Sequence, residues 1–110
     1  MLNEEMKCTG CGGDTHLSVS HIIPRSRRKD LIDAPENKTW HCLSVGEKVG
    51  CHQKHESLRI VELNDFEDSM RYMKRVDTSY FYLRFFKLKE AYKNNPEINA
   101  KLDKFELEIF

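Results

Sequence analysis

The rhythm of apolar and polar residues changes along this chain. Leu17-Ser18-Val19-Ser20-His21-Ile22-Ile23 alternates and then turns continuously apolar, the mark of a short strand, and Pro24 stops it. Residues 25–36 are charged, contain Pro35 and show no period, so they read as a loop, after which Thr39 and Trp40 restart a strand. From Cys51 the run CHQKHESLRIVEL carries no breaker, and Leu58 with Val61 suits a helix that begins after Gly50 and ends before Asn64. Beyond it the spacing is helical: Phe66, Met70 and Met73, then Phe81, Phe85, Leu88 and Tyr92, then Ile98, Leu102, Phe105 and Ile109. Three amphipathic helices are predicted, the first capped by Asn64 or Asp65 and the third opened by Asn95 and Pro96. The order of elements is that of an α+β chain, with a break between residues 1–62 and 63–110.

Composition sharpens this picture. The 110 residues are 39% hydrophobic and 33% charged, and no apolar run approaches the roughly 18 residues of a membrane span. No membrane partner is expected. The opening MLNEEMK joins no basic end to an apolar stretch, so the expected setting is intracellular, cytoplasmic and reducing. A chain this short buries only about two thirds of its unfolded surface and needs a further staple. Charge sums to zero, 18 basic against 18 acidic residues, but its distribution is uneven. Arg25, Arg27, Arg28 and Lys29 stand together, residues 71–93 carry seven cations against Asp77 and Glu90, and the acids Glu62, Asp65, Glu67 and Asp68 lie between. A neutral total can therefore hide a basic face suited to phosphate.

All four cysteines and all five histidines fall within residues 8–55. Cys8-Thr9-Gly10-Cys11, followed by Gly12 and Gly13, is a knuckle that can present two thiolates to one tetrahedral zinc ion. A redox pair is the rival reading, but such pairs open helices, and here glycines follow. Cys42 and Cys51 are the expected remaining ligands, with Leu43 to Gly50 inserted between them as a loop; in the alternative, His41 or His55 replaces one sulfur.

Taken in order, Cys8-x2-Cys11, Ser20-His21-Ile22-Ile23-Pro24-Arg25-Ser26, Asn37 and Cys51-His52 resemble an HNH endonuclease domain across residues 6–60. The resemblance implies a ββα-metal finger stapled by a four-cysteine zinc, followed here by a helical extension. It also implies a metal-dependent DNA endonuclease or nickase of the kind found in phages and mobile elements. Hydrolysing a phosphodiester requires a base for the attacking water and positive charge near the phosphorus oxygens and the departing 3′ oxygen. Histidine suits the first task because its ordinary pKa of about 6.5 leaves it neutral yet basic near pH 7. The resemblance makes His21 the general base, Asn37 the residue that positions the base or ties the loop, and His52 a ligand of the catalytic ion. Ser20 departs from the family, many of whose members carry an acidic or second metal-binding residue there. Glu56, one helical turn beyond His52, is the expected substitute ligand, and His55 is a second candidate. Imidazole with oxygen suits Mn2+, Ni2+ or Zn2+, and Mg2+ where water and phosphate supply most ligands. Arg25, Arg27, Arg28 and Lys29 are the expected DNA-backbone contacts.

The cluster Tyr80, Phe81, Tyr82, Phe85 and Phe86 reads first as core. Tyr82 and Phe86 lie off the Phe81/Phe85 line, which makes them candidates for a homodimer or protein-partner surface. Two function classes follow from the sequence: the nuclease, and a zinc-stapled DNA-binding or assembly module with weak or no catalysis.

Overall fold

Two five-residue strands, β1 (Leu17–His21) and β2 (Lys38–Cys42), pair antiparallel in the register Leu17↔Cys42 to His21↔Lys38. β1 ends two residues before the apolar run does. The Ile22 N–H donates to the Asn37 carbonyl and the Ile23 N–H to Asn37 Oδ1, so the chain leaves the ladder to bond one buried asparagine. Between the strands, the predicted loop contains two short 3-10 turns, Lys29–Leu31 and Pro35–Asn37, the second opened by a proline whose missing N–H is not needed there.

The stretch from Cys42 to Cys51 is an ordered turn. Val45 and Lys48 exchange both backbone hydrogen bonds across Gly46, whose φ of 60° is easiest for a residue without Cβ. Ser44 Oγ accepts from the Gly50 N–H and donates to Gln53 Oε1, fastening this loop to the helix that follows. Gly50 has no room for a side chain: a Cβ there would collide with the Leu43 carbonyl carbon and the Cys42 carbonyl oxygen. Both are backbone atoms between two cysteines, so Gly50→Ala is expected to destabilise the protein by about 1–3 kcal/mol or more, measured by chemical denaturation.

The single helix expected from Cys51 to Leu63 is in fact two pieces. Helix α1 covers Cys51–His55, and a 3-10 segment covers Leu58–Glu62. Ser57 makes the break: its backbone is extended and its hydroxyl accepts from the Arg59 N–H, re-capping the chain. The apolar pattern misses this because Ile60 and Val61 are buried in either geometry, while Leu58 stays exposed. An antiparallel strand pair, a four-cysteine cluster and α1 together make a ββα-metal finger, and a helical extension follows it.

The computed structural model describes residues 6–110 and divides the chain into two units, with the boundary between Phe66 and Glu67. Three helices occupy the C-terminal part: α2 (Phe66–Val76), α3 (Thr78–Ala91) and α4 (Pro96–Ile109). Asp77 caps α3 by accepting from the Tyr80 N–H, and Asn95 caps α4 by accepting from the Ile98 N–H. Asp65, a predicted cap for α2, does not serve as one, because its Oδ2 is taken by Thr9 and His41. Met70, Met73, Phe81, Phe85, Leu88, Leu102 and Phe105 are buried. Tyr80, Phe81 and Phe85 are core residues as expected; Tyr82 stacks on Phe86, which is 56% exposed, and on Phe110. No helix among the described residues is long and apolar enough to cross a membrane.

Candidate functional site

Cys8, Cys11, Cys42 and Cys51 bring their sulfurs within 4.8 Å of one another, and none is in a disulfide. A tetrahedral zinc with Zn–S bonds of about 2.3 Å separates its sulfurs by about 3.8 Å. Cys11 Sγ and Cys42 Sγ stand 3.9 Å apart. The knuckle closes through the Gly12 N–H on the Cys8 carbonyl and the Cys8 N–H on the Gly13 carbonyl, with Gly12 at φ 81°. At Gly10 a Cβ would lie 2.9 Å from Cys51 Sγ, so the knuckle reaches the fourth sulfur only because this position is bare.

Donor chemistry agrees with geometry. Burial pushes the thiols of Cys8 and Cys51 up, and Cys51 is pushed further by its crowding sulfur neighbours. Burial opposes ionisation of Cys42 too, but the Cys51 N–H and the surrounding thiols outweigh it and hold that group low. Cys8 and Cys51 are thus poor thiolates by themselves, a tendency that a divalent cation among the sulfurs reverses. The clustered ligand atoms are the four sulfurs and include neither His41 nor His55; His41 uses both ring nitrogens elsewhere, and His55 Nε2 donates to the Ile22 carbonyl. The all-sulfur set is a metal site suited to structural zinc.

A cleft of about 670 Å³ opens beside this centre. Val19 and His21 line it from β1, Pro24, Arg25, Ser26, Lys29 and Ile32 from the loop, and His52 and Glu56 from α1 and its end. His21 Nε2 donates to the Ile32 carbonyl at 3.0 Å, which places the ring proton on Nε2 and leaves Nδ1 as the basic nitrogen. His52 Nε2 lies 3.5 Å from Glu56 Oε1. One recess therefore gathers two histidines, a carboxylate and two cations.

Other residues singled out in the sequence lie elsewhere. His55 is buried and packs its ring on His41 at 5.1 Å, which makes it a tie between α1 and the strand end and keeps it from the cleft lining. Arg28 forms a two-point pair with Asp30, and Arg27 does not line the recess. Asn37 is buried under the loop, where Nδ2 donates to the Ile23 and Leu31 carbonyls while Oδ1 accepts from the Ile23 N–H. It thus fixes the chain next to Ile32, the partner of His21. Truncating Asn37 to Ala strands the backbone groups of fully buried Ile23, so a loss of about 2–4 kcal/mol is expected in a urea titration.

Beneath the cleft runs a buried polar chain that no sequence pattern indicated. Ser18 and Ser20 share one face of β1, and both hydroxyls lie 2.9 Å from His52 Nδ1. Ser20 Oγ is also 2.8 Å from His41 Nδ1, and His41 Nε2 is 2.9 Å from Asp65 Oδ2, which accepts a further bond from Thr9. Burial opposes the Asp65 charge, but the hydrogen bonds from His41 and Thr9 outweigh it and hold the carboxyl below its ordinary range. The order Ser20-His41-Asp65 has the composition of a nucleophile triad. It cannot act as one, since Ser20 is 3% exposed and His41 0%. No family model matches the chain, and neither does any curated protein or solved structure.

Proposed function

We propose that this chain is a metal-dependent DNA endonuclease or nickase of the HNH kind, hydrolysing phosphodiester bonds. The observation that carries this reading is the convergence of His21, His52 and Glu56 with Arg25 and Lys29 on one cleft beside a four-cysteine metal site. His21 Nδ1 takes the proton of the attacking water, while the Ile32 carbonyl holds the opposite edge of the ring. Asn37 positions that carbonyl through the loop. His52 Nε2 and Glu56 are the ligands this chain offers to a divalent ion, with Mn2+, Ni2+, Zn2+ and Mg2+ as the candidates. Such an ion, when bound, stabilises charge on the phosphorus oxygens and the departing oxygen. Arg25 and Lys29 hold the DNA backbone at the cleft, and Arg27 and Arg28 extend the basic loop outward. The setting that accompanies this activity is cytoplasmic, in a phage or mobile element, with Tyr82 and Phe86 available for a second copy or a protein partner.

One observation favours the alternative, a DNA-binding or assembly module with weak catalysis. Ser20, at the family's acidic position, has its hydroxyl engaged by His41 and His52 and adds no ligand to the cleft. Incubating supercoiled plasmid with the zinc-loaded protein and each of the four ions separates the two. Nicked or linear DNA supports the nuclease; intact DNA with every ion, retained in a salt-sensitive manner on a gel, supports the module.

A further inference from the structure

We infer that Asp65, His41 and Ser20 are positioning residues for His52: a directed hydrogen-bond relay that keeps the His52 proton on Nδ1 and its Nε2 lone pair on the cleft. The distances and the donor inventory of each group set the direction. The Asp65 carboxylate only accepts, so the His41 proton in that 2.9 Å contact belongs to Nε2. In the neutral ring His41 Nδ1 is then an acceptor, and the proton that fills the 2.8 Å gap is that of the Ser20 hydroxyl. With its proton committed, Ser20 Oγ can only accept from His52, at 2.9 Å. Ser18 agrees, because its hydroxyl donates to the His41 carbonyl and so also meets His52 Nδ1 as an acceptor. The three bonds of the relay point from His52 toward Asp65, and the nitrogen left over, Nε2, is at the cleft, where Glu56 Oε1 at 3.5 Å is too distant to claim the ring proton.

The consequence for a ligand follows from coordination chemistry. A metal takes the lone pair of neutral imidazole, and the hydrogen bond at the other ring nitrogen decides which nitrogen offers it. Carboxylates usually bond such a histidine directly; here the carboxylate is two groups away, and Ser20 carries its influence through β1. This also accounts for a serine rather than an acid at this position: a hydroxyl donates to His41 and accepts from His52 together. The ion-binding consequence rests on the proposed function; the tautomer of His52 does not.

Two-bond 1H–15N correlation NMR on the zinc-loaded protein reads both rings directly. The result expected is a proton on Nδ1 of His52 and on Nε2 of His41. A proton on His52 Nε2, or an averaged mixture, overturns the relay. Ser20→Ala cuts the link to His41 and Asp65 but spares Ser18, so it separates the relay from a local serine contact. That variant is expected to mix the His52 tautomers and to weaken Mn2+ affinity by about 10–100-fold with zinc retained, and Ser20→Thr to restore both. Unchanged tautomer and affinity in a zinc-loaded Ser20→Ala protein leave Ser18 sufficient and overturn the relay. Wild-type rings in the predicted tautomers that give no response to Mn2+ keep the relay and overturn the ion-binding reading instead.

Discussion

Removing zinc with a strong chelator is expected to unfold the first unit: the dispersed amide signals of residues 6–66 should collapse, and re-addition of the metal should restore them. The argument is one of size. The apolar residues buried in that unit are few, mainly Ile23, Ile60, Val61, Leu63 and Phe66, with Cys8 and Cys51 among them. A core this small supplies less than about 3–5 kcal/mol, whereas a structural zinc of this class contributes on the order of 10 kcal/mol of apparent folding energy. The metal contribution is thus larger than any margin the apolar groups leave. Ligands should also differ. Both variants leave three sulfurs, but Cys8→Ser introduces a hydroxyl at a buried corner and is expected to abolish zinc retention, while Cys11→Ser, at the exposed corner, loses less. Metal content by mass spectrometry, read beside the amide spectrum, tests both. A chelated protein or a Cys8→Ser variant with native dispersion sinks the idea.

How much of this was legible in the chain depends on what kind of signal each feature leaves. Helices α2, α3 and α4 announce themselves because burial on one face repeats at the helical period, and Asn95-Pro96 marks a start by chemistry alone. The knuckle is equally local, since Gly10 and Gly12 are required by its geometry. The break at Ser57 leaves no trace in the hydrophobic pattern, because that pattern does not register a serine hydroxyl competing for the backbone. Asp65 differs for a related reason: placed before a helix it has the chemistry of a cap, and only the fold brings His41 to claim it. His41 itself could have been suspected, because strand alternation places Ser18 and Ser20 on one face and register sets His41 opposite Ser18. Nothing in the sequence places Asp65 there. Distant partners are readable where their chemistry is distinctive, as for the four cysteines, and not where they are ordinary polar groups, as for His41 and Asp65.

If the proposed nuclease function holds, replacing His21 with alanine is expected to lower DNA cleavage by about 100- to 10,000-fold, the usual contribution of a positioned general base. The expectation follows from the ring's two edges. Nε2 is committed to the Ile32 carbonyl, so Nδ1 is the nitrogen available to a water, and His21 lines the same cleft as His52 and Glu56. His21 is half-buried at the end of β1, and the zinc ligands are held by other contacts, so the variant should retain zinc and its amide dispersion. It should also bind plasmid with the same salt dependence, since Arg25 and Lys29 remain. His52→Ala provides the contrast. Its loss is expected to appear mainly as weakened ion affinity and to be recovered in part by raising Mn2+, whereas no excess of ion rescues His21→Ala. Added imidazole, able to enter the space left by the missing ring, should restore a fraction of the His21→Ala rate and none of the His52→Ala defect at low ion. Cleavage by His21→Ala at the wild-type rate, with zinc in place, excludes His21 as the base and leaves that role to solvent or to another group.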